Sequence, residues 1–364
     1  MIDTIRRPIM VMAGGTGGHV FPALAVARLL REKGENIIWM GTHSGLESRL
    51  VPAANFPIEW LTIEGVRGKG FFIKAMAPFK LMLACFQAIK LLRKHKPRAV
   101  LGMGGFASGP GGLMAWLLRI PLIIHEQNAV LGLTNKVLSR FAKLKYFAFP
   151  QAAKNIEDSI VVGNPVRKEI LDIDPPEIRF SGREYKNIKV LIIGGSLGAK
   201  TLNDTIPAAM KIIAPELRPD IRHQCGAGKL HDCQSLYEKF GVEAEVTEFV
   251  DDMKSAYEWA DLVICRSGAL TVAELAAVGI ASILVPYPYY VDDQKLFNAA
   301  FLVDADAAIV QQDKNFSAEF LAEKLINFTQ YKEQLMTMAG NARQIAYTRA
   351  TEQVASGILQ EALS

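Results

Sequence analysis

His19 is the residue whose type and position most clearly suggest acid–base chemistry. It follows Gly14-Gly-Thr-Gly-Gly18, and this glycine segment lies between an apolar run, residues 9–13, and a segment of helical spacing. Glycines at a strand-to-helix turn let the backbone approach a ligand and direct its N–H groups at negative charge. We predict that the segment binds a substrate or a diphosphate, and that His19, exposed at the helix start, is a general base. A tight packing turn and a capping histidine are the alternatives.

Two further segments predict walls of the same site. His125-Glu-Gln-Asn128 follows the apolar run 121–124, and a glycine-dense segment, residues 102–112, ends another apolar run. Ligands of doubly wound sheets lie at the carboxyl ends of the strands. We therefore expect residues 125–128 to orient sugar hydroxyls, with Glu126 as the second candidate base, and residues 102–112 to form a loop beside them. Ordinary turn polarity and a flexible connection are the alternatives.

The second half of the chain repeats this arrangement. Gly194-Gly-Ser-Leu-Gly198 follows the apolar run 189–193, and Arg266-Ser-Gly268 follows another such run. Ser196 is a candidate donor of a hydrogen bond to phosphate. Glu274, which we expect one turn into the next helix, is a candidate acceptor for two ribose hydroxyls. Stabilisation of the helix dipole is the alternative role for Glu274.

The same segments argue against a cofactor or a metal. No acidic residue follows Trp39-Met-Gly41 to hold the ribose of a dinucleotide, and the first glycine segment lacks a P-loop lysine. The pairs Asp251-Asp252 and Asp292-Asp293 are adjacent, so neither forms an Asp-x-Asp ligand pair. We predict no cofactor and no metal, and we expect helix N-termini and Arg167 to stabilise the charge on a diphosphate leaving group.

The elements that must position these residues form two series. Strand, glycine loop, helix and strand follow one another from residue 9, and the pattern begins again at residue 189. A length of 364 residues agrees with two domains. We predict two doubly wound α/β domains joined within residues 161–186, with a final helix over 350–362.

Composition excludes several other classes of protein. A net charge of +4 gives no reason to expect nucleic-acid binding, and four cysteines without a C-x-x-C exclude a disulfide framework. No targeting segment is evident. Residues 99–118 carry no charge but include six glycines, so a strand with a glycine loop is expected there, and not a membrane helix.

Charge is nevertheless distributed unevenly. Residues 1–166 hold 21 Lys and Arg against 9 Asp and Glu, whereas residues 167–364 hold 20 against 28. Within the basic half, residues 67–98 mix large apolar and basic side chains without an acidic one. This pattern predicts a surface that contacts an anionic membrane. A buried amphipathic helix with a solvated basic rim is the alternative.

Together these motifs resemble the MurG glycosyltransferase family over nearly the whole chain. Each motif alone is weak, but their order and spacing are specific. They are Gly14-Gly-Thr-Gly-Gly-His-Val-Phe-Pro22, Gly102-Met-Gly-Gly-Phe-Ala-Ser-Gly-Pro110, His125-Glu-Gln-Asn128, Gly132-Leu-Thr-Asn135, Gly163-Asn-Pro-Val-Arg167, Gly194-Gly-Ser-Leu-Gly-Ala199, Thr247-Glu-Phe-Val-Asp-Asp-Met253 and Cys265-Arg-Ser-Gly-Ala-Leu-Thr-Val-Ala-Glu274.

The resemblance implies a GT-B fold, in which two Rossmann-like domains with parallel sheets face each other across a cleft. It implies an acceptor and membrane-side domain over 1–165, a UDP-GlcNAc-binding domain over 166–345, and a C-terminal helix, 346–364, that returns to the first domain. The implied reaction is metal-independent, inverting transfer of GlcNAc from UDP-GlcNAc to the muramoyl 4-hydroxyl of lipid I, at the cytoplasmic face of the bacterial inner membrane. A UDP-GlcNAc 2-epimerase or another lipid-directed GT-B enzyme is the alternative.

The resemblance also implies the substrate contacts. His19 and the first two glycine loops are expected to face the acceptor diphosphate or act on its hydroxyl. The family usually has glutamine near the start of the helix that ends in Asn-Ala, whereas here Gln294 is followed by Lys295. Gln294 in a shifted register, or Lys295 in its place, is therefore expected to contact GlcNAc. The other implied donor contacts are Thr16, Gly17, Gly18, Asn128, Arg167, Ser196, Val250 through its backbone, Ala269, Leu270, Thr271, Val272, Ala273 and Glu274.

Overall fold

The computed structural model describes residues 7–62, 77–181, 187–288 and 294–363. The chain divides into two compact units. The first comprises Met1–Arg167 with Thr348–Ser364, and the second comprises Lys168–Tyr347. None of the helices in the described ranges is long and apolar enough to cross a bilayer.

The first unit contains a seven-stranded sheet in which every described pair of neighbours is parallel, in the order β3-β2-β1-β4-β5-β6-β7. The strands are β1 (Ile9–Met12), β2 (Ile37–Thr42), β3 (Ile58–Leu61), β4 (Ala99–Gly102), β5 (Leu122–Glu126), β6 (Leu144–Phe147) and β7 (Ser159–Val161). The helices within the described ranges are α1 (Gly17–Glu32), α2 (Glu47–Ala53), α3 (Ala77–His95), α4 (Ser108–Leu117), α5 (Leu133–Leu138), α6 (Pro150–Ala153) and, at the C-terminus, α16 (Ala350–Leu363). The last of these packs against α1 and β4.

The second unit contains a six-stranded parallel sheet in the order β10-β9-β8-β11-β12-β13. The strands are β8 (Lys189–Ile193), β9 (Asp220–Gln224), β10 (Glu245–Thr247), β11 (Leu262–Cys265), β12 (Ala281–Leu284) and β13 (Ala308–Val310). The helices are α7 (Lys168–Leu171), α8 (Pro176–Phe180), α9 (Lys200–Ile212), α10 (Leu230–Lys239), α11 (Met253–Trp259), α12 (Ala269–Val278), α13 (Gln294–Val303), α14 (Ala318–Gln330) and α15 (Glu333–Gln344), with 3₁₀ turns at Pro215–Leu217 and Asp313–Asn315.

Continuous apolar runs form the central strands because both faces of each sheet are covered. All four residues of β1 are fully buried, and so are all four of β11. Strand order reverses between β1 and β4 in the first unit, and between β8 and β11 in the second. Loops that leave the carboxyl ends of these strands therefore border the crevice where doubly wound sheets bind ligands.

One expected loop is partly helical. The segment 102–112 was predicted as a glycine loop, but α4 begins at Ser108, so only its first part is a loop. A Cβ at Gly111 would lie 2.3 Å from the sulfur of Met12, and one at Gly112 would lie 2.8 Å from a methyl of Leu138. Gly111 thus allows α4 to pack closely on the sheet, and Gly112 allows it to pack closely on α5, so neither glycine provides loop flexibility.

Candidate functional site

The first glycine segment connects β1 to α1 and is fixed by a buried carboxylate. Gly15 has a positive φ of 91°, and its backbone N–H donates to Oε2 of Glu47 at 2.8 Å. Oε1 of Glu47 accepts from the backbone N–H and the hydroxyl of Thr42, at 3.0 and 2.6 Å. Thr16 is exposed, and Gly17 and Gly18 are half-buried at the start of α1.

Sequence reasoning missed Glu47, which no motif marks. A Cβ on any of three glycines would collide with this side chain: 2.4 Å from Oε1 at Gly14, 2.9 Å from Cγ at Gly41, and 1.9 Å from Oε2 at Gly45. Three glycines that are separated in sequence thus make room for one carboxyl group. The three glycines can be seen in the sequence, but only the fold shows that all three surround the side chain of Glu47.

His19 lies in the first turn of α1 and is half-buried, and not fully exposed as expected. Its Nδ1 lies 2.7 Å from Oε1 of Gln127. A Cβ at Gly104, whose φ is +89°, would lie 3.0 Å from Cε1 of the His19 ring. A Cβ at Gly105 would lie 2.4 Å from the carbonyl oxygen of Gly14. The two glycine loops therefore touch each other, and the imidazole is held between α1 and the second loop.

Glu126, the second candidate base, is buried at the end of β5. Its Oε1 accepts from the backbone and side-chain amides of Asn128, both at 3.1 Å. Its Oε2 accepts from the backbone of Gly132 at 3.1 Å and from the side chain of Asn135 at 2.9 Å. Four hydrogen bonds to one carboxylate hold the turn between β5 and α5 in shape. Asn128 itself is half-buried.

Arg167 is the last residue of the first unit, although its expected place was in the second. Its guanidinium carbon lies 5.7 Å from the centroid of the Phe21 ring on α1. The side chain is half-buried. It thus places a cation beside the helix that carries His19.

The glycine loop of the second unit, residues 194–198, is held by a side chain that sequence reasoning also missed. Gly195 and Gly198 have positive φ values of 79° and 67°. The Gln224 amide accepts from the N–H of Gly195 at 3.0 Å and donates to its carbonyl at 3.1 Å. The intervening Ser196 is exposed. The loop thus presents a hydroxyl before α9.

The second wall of this unit is the turn from β11 into α12. Glu274 is buried, and its Oε2 accepts from the hydroxyl of Tyr257 at 3.1 Å. It is the sixth residue of α12 and lies beyond the first turn, so stabilisation of the helix dipole does not explain it. Of its neighbours, Ala269 and Val272 are buried, and Leu270, Thr271 and Ala273 are half-buried.

Three further predictions concern this unit. Val250 follows β10 and is half-buried. Helix α13 begins at Gln294, but the side chains of Gln294 and Lys295 lie outside the described part of the chain. Among the residues that the structure describes, no three His, Cys, Asp or Glu side chains are grouped so that they could share a metal ion.

Two doubly wound units, each with a fixed glycine loop at its switch point, agree with the GT-B class of glycosyltransferases. The models of the glycosyltransferase family 28 N-terminal and C-terminal domains match residues 9–146 and 189–356. Both the predicted fold class and the predicted enzyme class are thereby confirmed.

Relatives that match over nearly the whole chain show to which glycosyltransferase family it belongs. The UDP-N-acetylglucosamine–N-acetylmuramyl-(pentapeptide) pyrophosphoryl-undecaprenol N-acetylglucosamine transferase of Marinobacter nauticus is 47% identical over 362 residues, covering 100% of this chain and 99% of that enzyme. The crystal structure of Acinetobacter baumannii MurG matches with a TM-score of 0.82 and 41% identity, over 97% of this chain and 99% of that one. The chain belongs to the MurG family.

A more distant structure shares the fold alone. UDP-GlcNAc 2-epimerase from Neisseria meningitidis matches with a TM-score of 0.67 over 97% of this chain and 99% of that one, at 12% identity. Since this identity is so low, the match carries no argument for epimerase activity. The relatives above favour the transferase over this alternative.

Proposed function

We propose that this protein transfers N-acetylglucosamine from UDP-N-acetylglucosamine to the muramoyl 4-hydroxyl of lipid I, with inversion at the anomeric carbon, forming lipid II and UDP. The observation that carries the proposal is the placement of His19 at the switch point of the first sheet, in the first turn of α1 and against the second glycine loop. Membership of the MurG family supports the choice of both substrates.

The proposed reaction is a direct displacement. Nε2 of His19 takes the proton of the acceptor hydroxyl as its oxygen attacks the anomeric carbon, and the bond from that carbon to the diphosphate breaks. UDP leaves with the bonding electrons. We assign the base to His19 in preference to Glu126, because the Glu126 carboxylate is buried and already accepts four hydrogen bonds. Glu126 instead positions Asn128.

The second unit is proposed to bind the donor. The hydroxyl of Ser196 and the amides of its loop face the diphosphate, the carboxylate of Glu274 accepts from the ribose, and the backbone of Val250 contacts the uracil. The stretch 269–273 lines the same pocket, and Gln294 contacts the sugar. In the first unit, Thr16, Gly17, Gly18, Asn128 and Arg167 are proposed to contact substrate phosphates and sugar. No divalent ion is required, since amides and cations stabilise the leaving charge.

We also propose that α3 contacts the anionic cytoplasmic face of the bacterial inner membrane. Five of its large apolar side chains are about half-exposed or more: Phe79, Leu81, Met82, Leu83 and Phe86. Basic residues along the same helix favour anionic lipids by about 1 kcal/mol each near the surface. The exposed apolar side chains and the charges together support a peripheral location next to a lipid-linked acceptor. Residues 67–76, the rest of the predicted contact, lie outside the described ranges.

The test is UDP release from UDP-N-acetylglucosamine in EDTA, with and without a lipid I analogue, with the disaccharide product identified by mass. We expect release only when the acceptor is present. Equal release without acceptor would indicate hydrolysis or epimerisation and would overturn the proposed transfer. Release that requires added magnesium would overturn the metal-independent mechanism alone.

A further inference from the structure

We propose that Gln127 is a positioning residue that holds His19 in the tautomer with a basic Nε2. This inference rests on the proposed role of His19 as general base. The positioning role is supported by a chain of hydrogen bonds that runs from His19 through Gln127 to His125. This chain ends on a backbone carbonyl oxygen. The side chains of Gln127 and His125 are almost completely buried.

The proton positions follow from groups that only accept. Nε2 of His125 lies 2.9 Å from the carbonyl oxygen of Gly163, so this nitrogen carries the hydrogen. Burial is the main cause that lowers the pKa of His125 to about 4. The hydrogen bond to Gly163 raises the pKa, and nearby His19 lowers it further. The ring is therefore neutral near pH 7, and its Nδ1 has a lone pair.

The amide orientation of Gln127 is fixed in the same way. Its nitrogen lies 3.0 Å from Nδ1 of His125 and 3.1 Å from the backbone carbonyl of the same residue. Both of these atoms accept, so both need the NH₂ group. The opposite orientation would bring the amide oxygen against a carbonyl oxygen and a lone pair. Oε1 of Gln127 must therefore face His19.

An amide oxygen only accepts, so Nδ1 of His19, at 2.7 Å, carries the hydrogen. In the neutral ring the lone pair is then on Nε2. Gln127 thus performs the orienting part that a carboxylate plays in a Ser-His-Asp triad, but without a charge. The backbone also holds it, because Nδ2 of Asn164 donates to the carbonyl of Gln127 at 3.0 Å.

The experiment is ¹⁵N NMR of the histidine rings in the intact protein, combined with kinetics of Gln127→Met. Methionine has a similar length, but its thioether sulfur is only a weak acceptor for the hydrogen on His19. We expect the wild-type protein to show hydrogen on Nδ1 of neutral His19. The variant should show both tautomers, with kcat about 10- to 100-fold lower and unchanged affinity for UDP-N-acetylglucosamine. This loss is smaller than the roughly 10²- to 10⁴-fold that a general base contributes, because the base itself remains. Gln151→Met, at an exposed position of the same unit, is the matched control.

Each outcome bears on one hypothesis. A wild-type spectrum with hydrogen on Nε2 of neutral His19 would overturn the positioning role, even if the variant failed to fold. An unchanged tautomer and kcat in Gln127→Met would do the same. His19→Ala separates the two hypotheses: full turnover in that variant removes His19 as base, whereas lost turnover together with an unaffected Gln127→Met removes only the positioning role.

Discussion

Oε2 of Glu47 accepts a hydrogen bond from the backbone of Gly15 at 2.8 Å, while its Oε1 accepts from the backbone of Thr42 at 3.0 Å. The carboxylate thereby ties the end of β2 to the loop that precedes α1. Phosphate-binding loops depend on amides that stay in place when a ligand arrives, and such preorganisation costs less free energy at binding. The Glu47 carboxylate is fully buried, so it holds the loop from within the fold and not from the solvent side.

Glu47→Gln should lower the free energy of unfolding by about 1–3 kcal/mol, because its NH₂ group must face another donor at Gly15 or Thr42. Urea denaturation measures this change. The KM for a substrate that binds the loop should also rise. Glu157→Gln, at an exposed position of the same unit, should change neither quantity. Equal stability of the two variants would show that Glu47 does not hold the loop.

His19→Ala should reduce kcat by about 10²- to 10⁴-fold, the range of a general base, and leave the Kd for UDP-N-acetylglucosamine nearly unchanged. Steady-state kinetics and calorimetry separate these quantities. His43→Ala is the control, since His43 is exposed and stacks on Trp60 with a centroid distance of 4.1 Å. A weakened donor affinity at normal kcat would instead assign His19 to binding.

Glu274→Gln should raise the KM for the donor about 10-fold or more at similar kcat, because a hydrogen bond to a charged group contributes about 1.5–3 kcal/mol. Tyr257→Phe should have a smaller effect, since it removes only the donor to Oε2 of Glu274. Glu323→Gln, at an exposed position, is the control. A donor KM that is insensitive to Glu274→Gln would exclude its contact with the ribose.

Replacing both Phe79 and Phe86 with Ser should weaken binding to vesicles that contain anionic phospholipid by at least about 10-fold, because each ring loses about 1.5–3 kcal/mol of apolar transfer. Co-sedimentation measures the bound fraction. Activity toward a soluble acceptor analogue should persist. Tyr331→Ser, which removes a half-exposed ring from the second unit, should bind vesicles normally. Unaltered binding of the double variant would place the lipid contact elsewhere.

Stability should fall as the pH is lowered from 6.5 toward 5. Burial lowers the pKa of His125 to about 4 and that of His223 to about 3, whereas histidines of the unfolded chain titrate near 6.5. In this window the unfolded state binds the extra protons, so each histidine removes up to about 1.4 kcal/mol per pH unit.

Urea denaturation between pH 7 and 5 tests this dependence. His223→Gln should flatten the slope by the contribution of one histidine, provided that it folds, whereas His231→Gln, at an exposed position, should not. A wild-type stability that stays constant down to pH 5 would contradict the depressed pKa values.

The two-unit fold and the family could be predicted from the sequence without the tertiary structure. Two series of apolar runs, each followed by glycines, predicted two doubly wound units, since parallel strands buried on both faces need continuous apolar sequence. The motif order identified the family. The helical part of residues 102–112 was missed, because glycines that permit close packing look the same in sequence as glycines that permit a turn.

The roles within the site depended on distances between residues that are far apart in the chain. Local spacing made Glu126 a reasonable base, but its four hydrogen bonds come from the turn that it stabilises. Glu47 and Gln127 reach their partners, Gly15 and His19, across 32 and 108 positions. Residue types and their periodicity determine which elements form, because these preferences are local. Which carboxylate is buried, and which nitrogen of a histidine carries the proton, are decided only when packing brings distant donors and acceptors together.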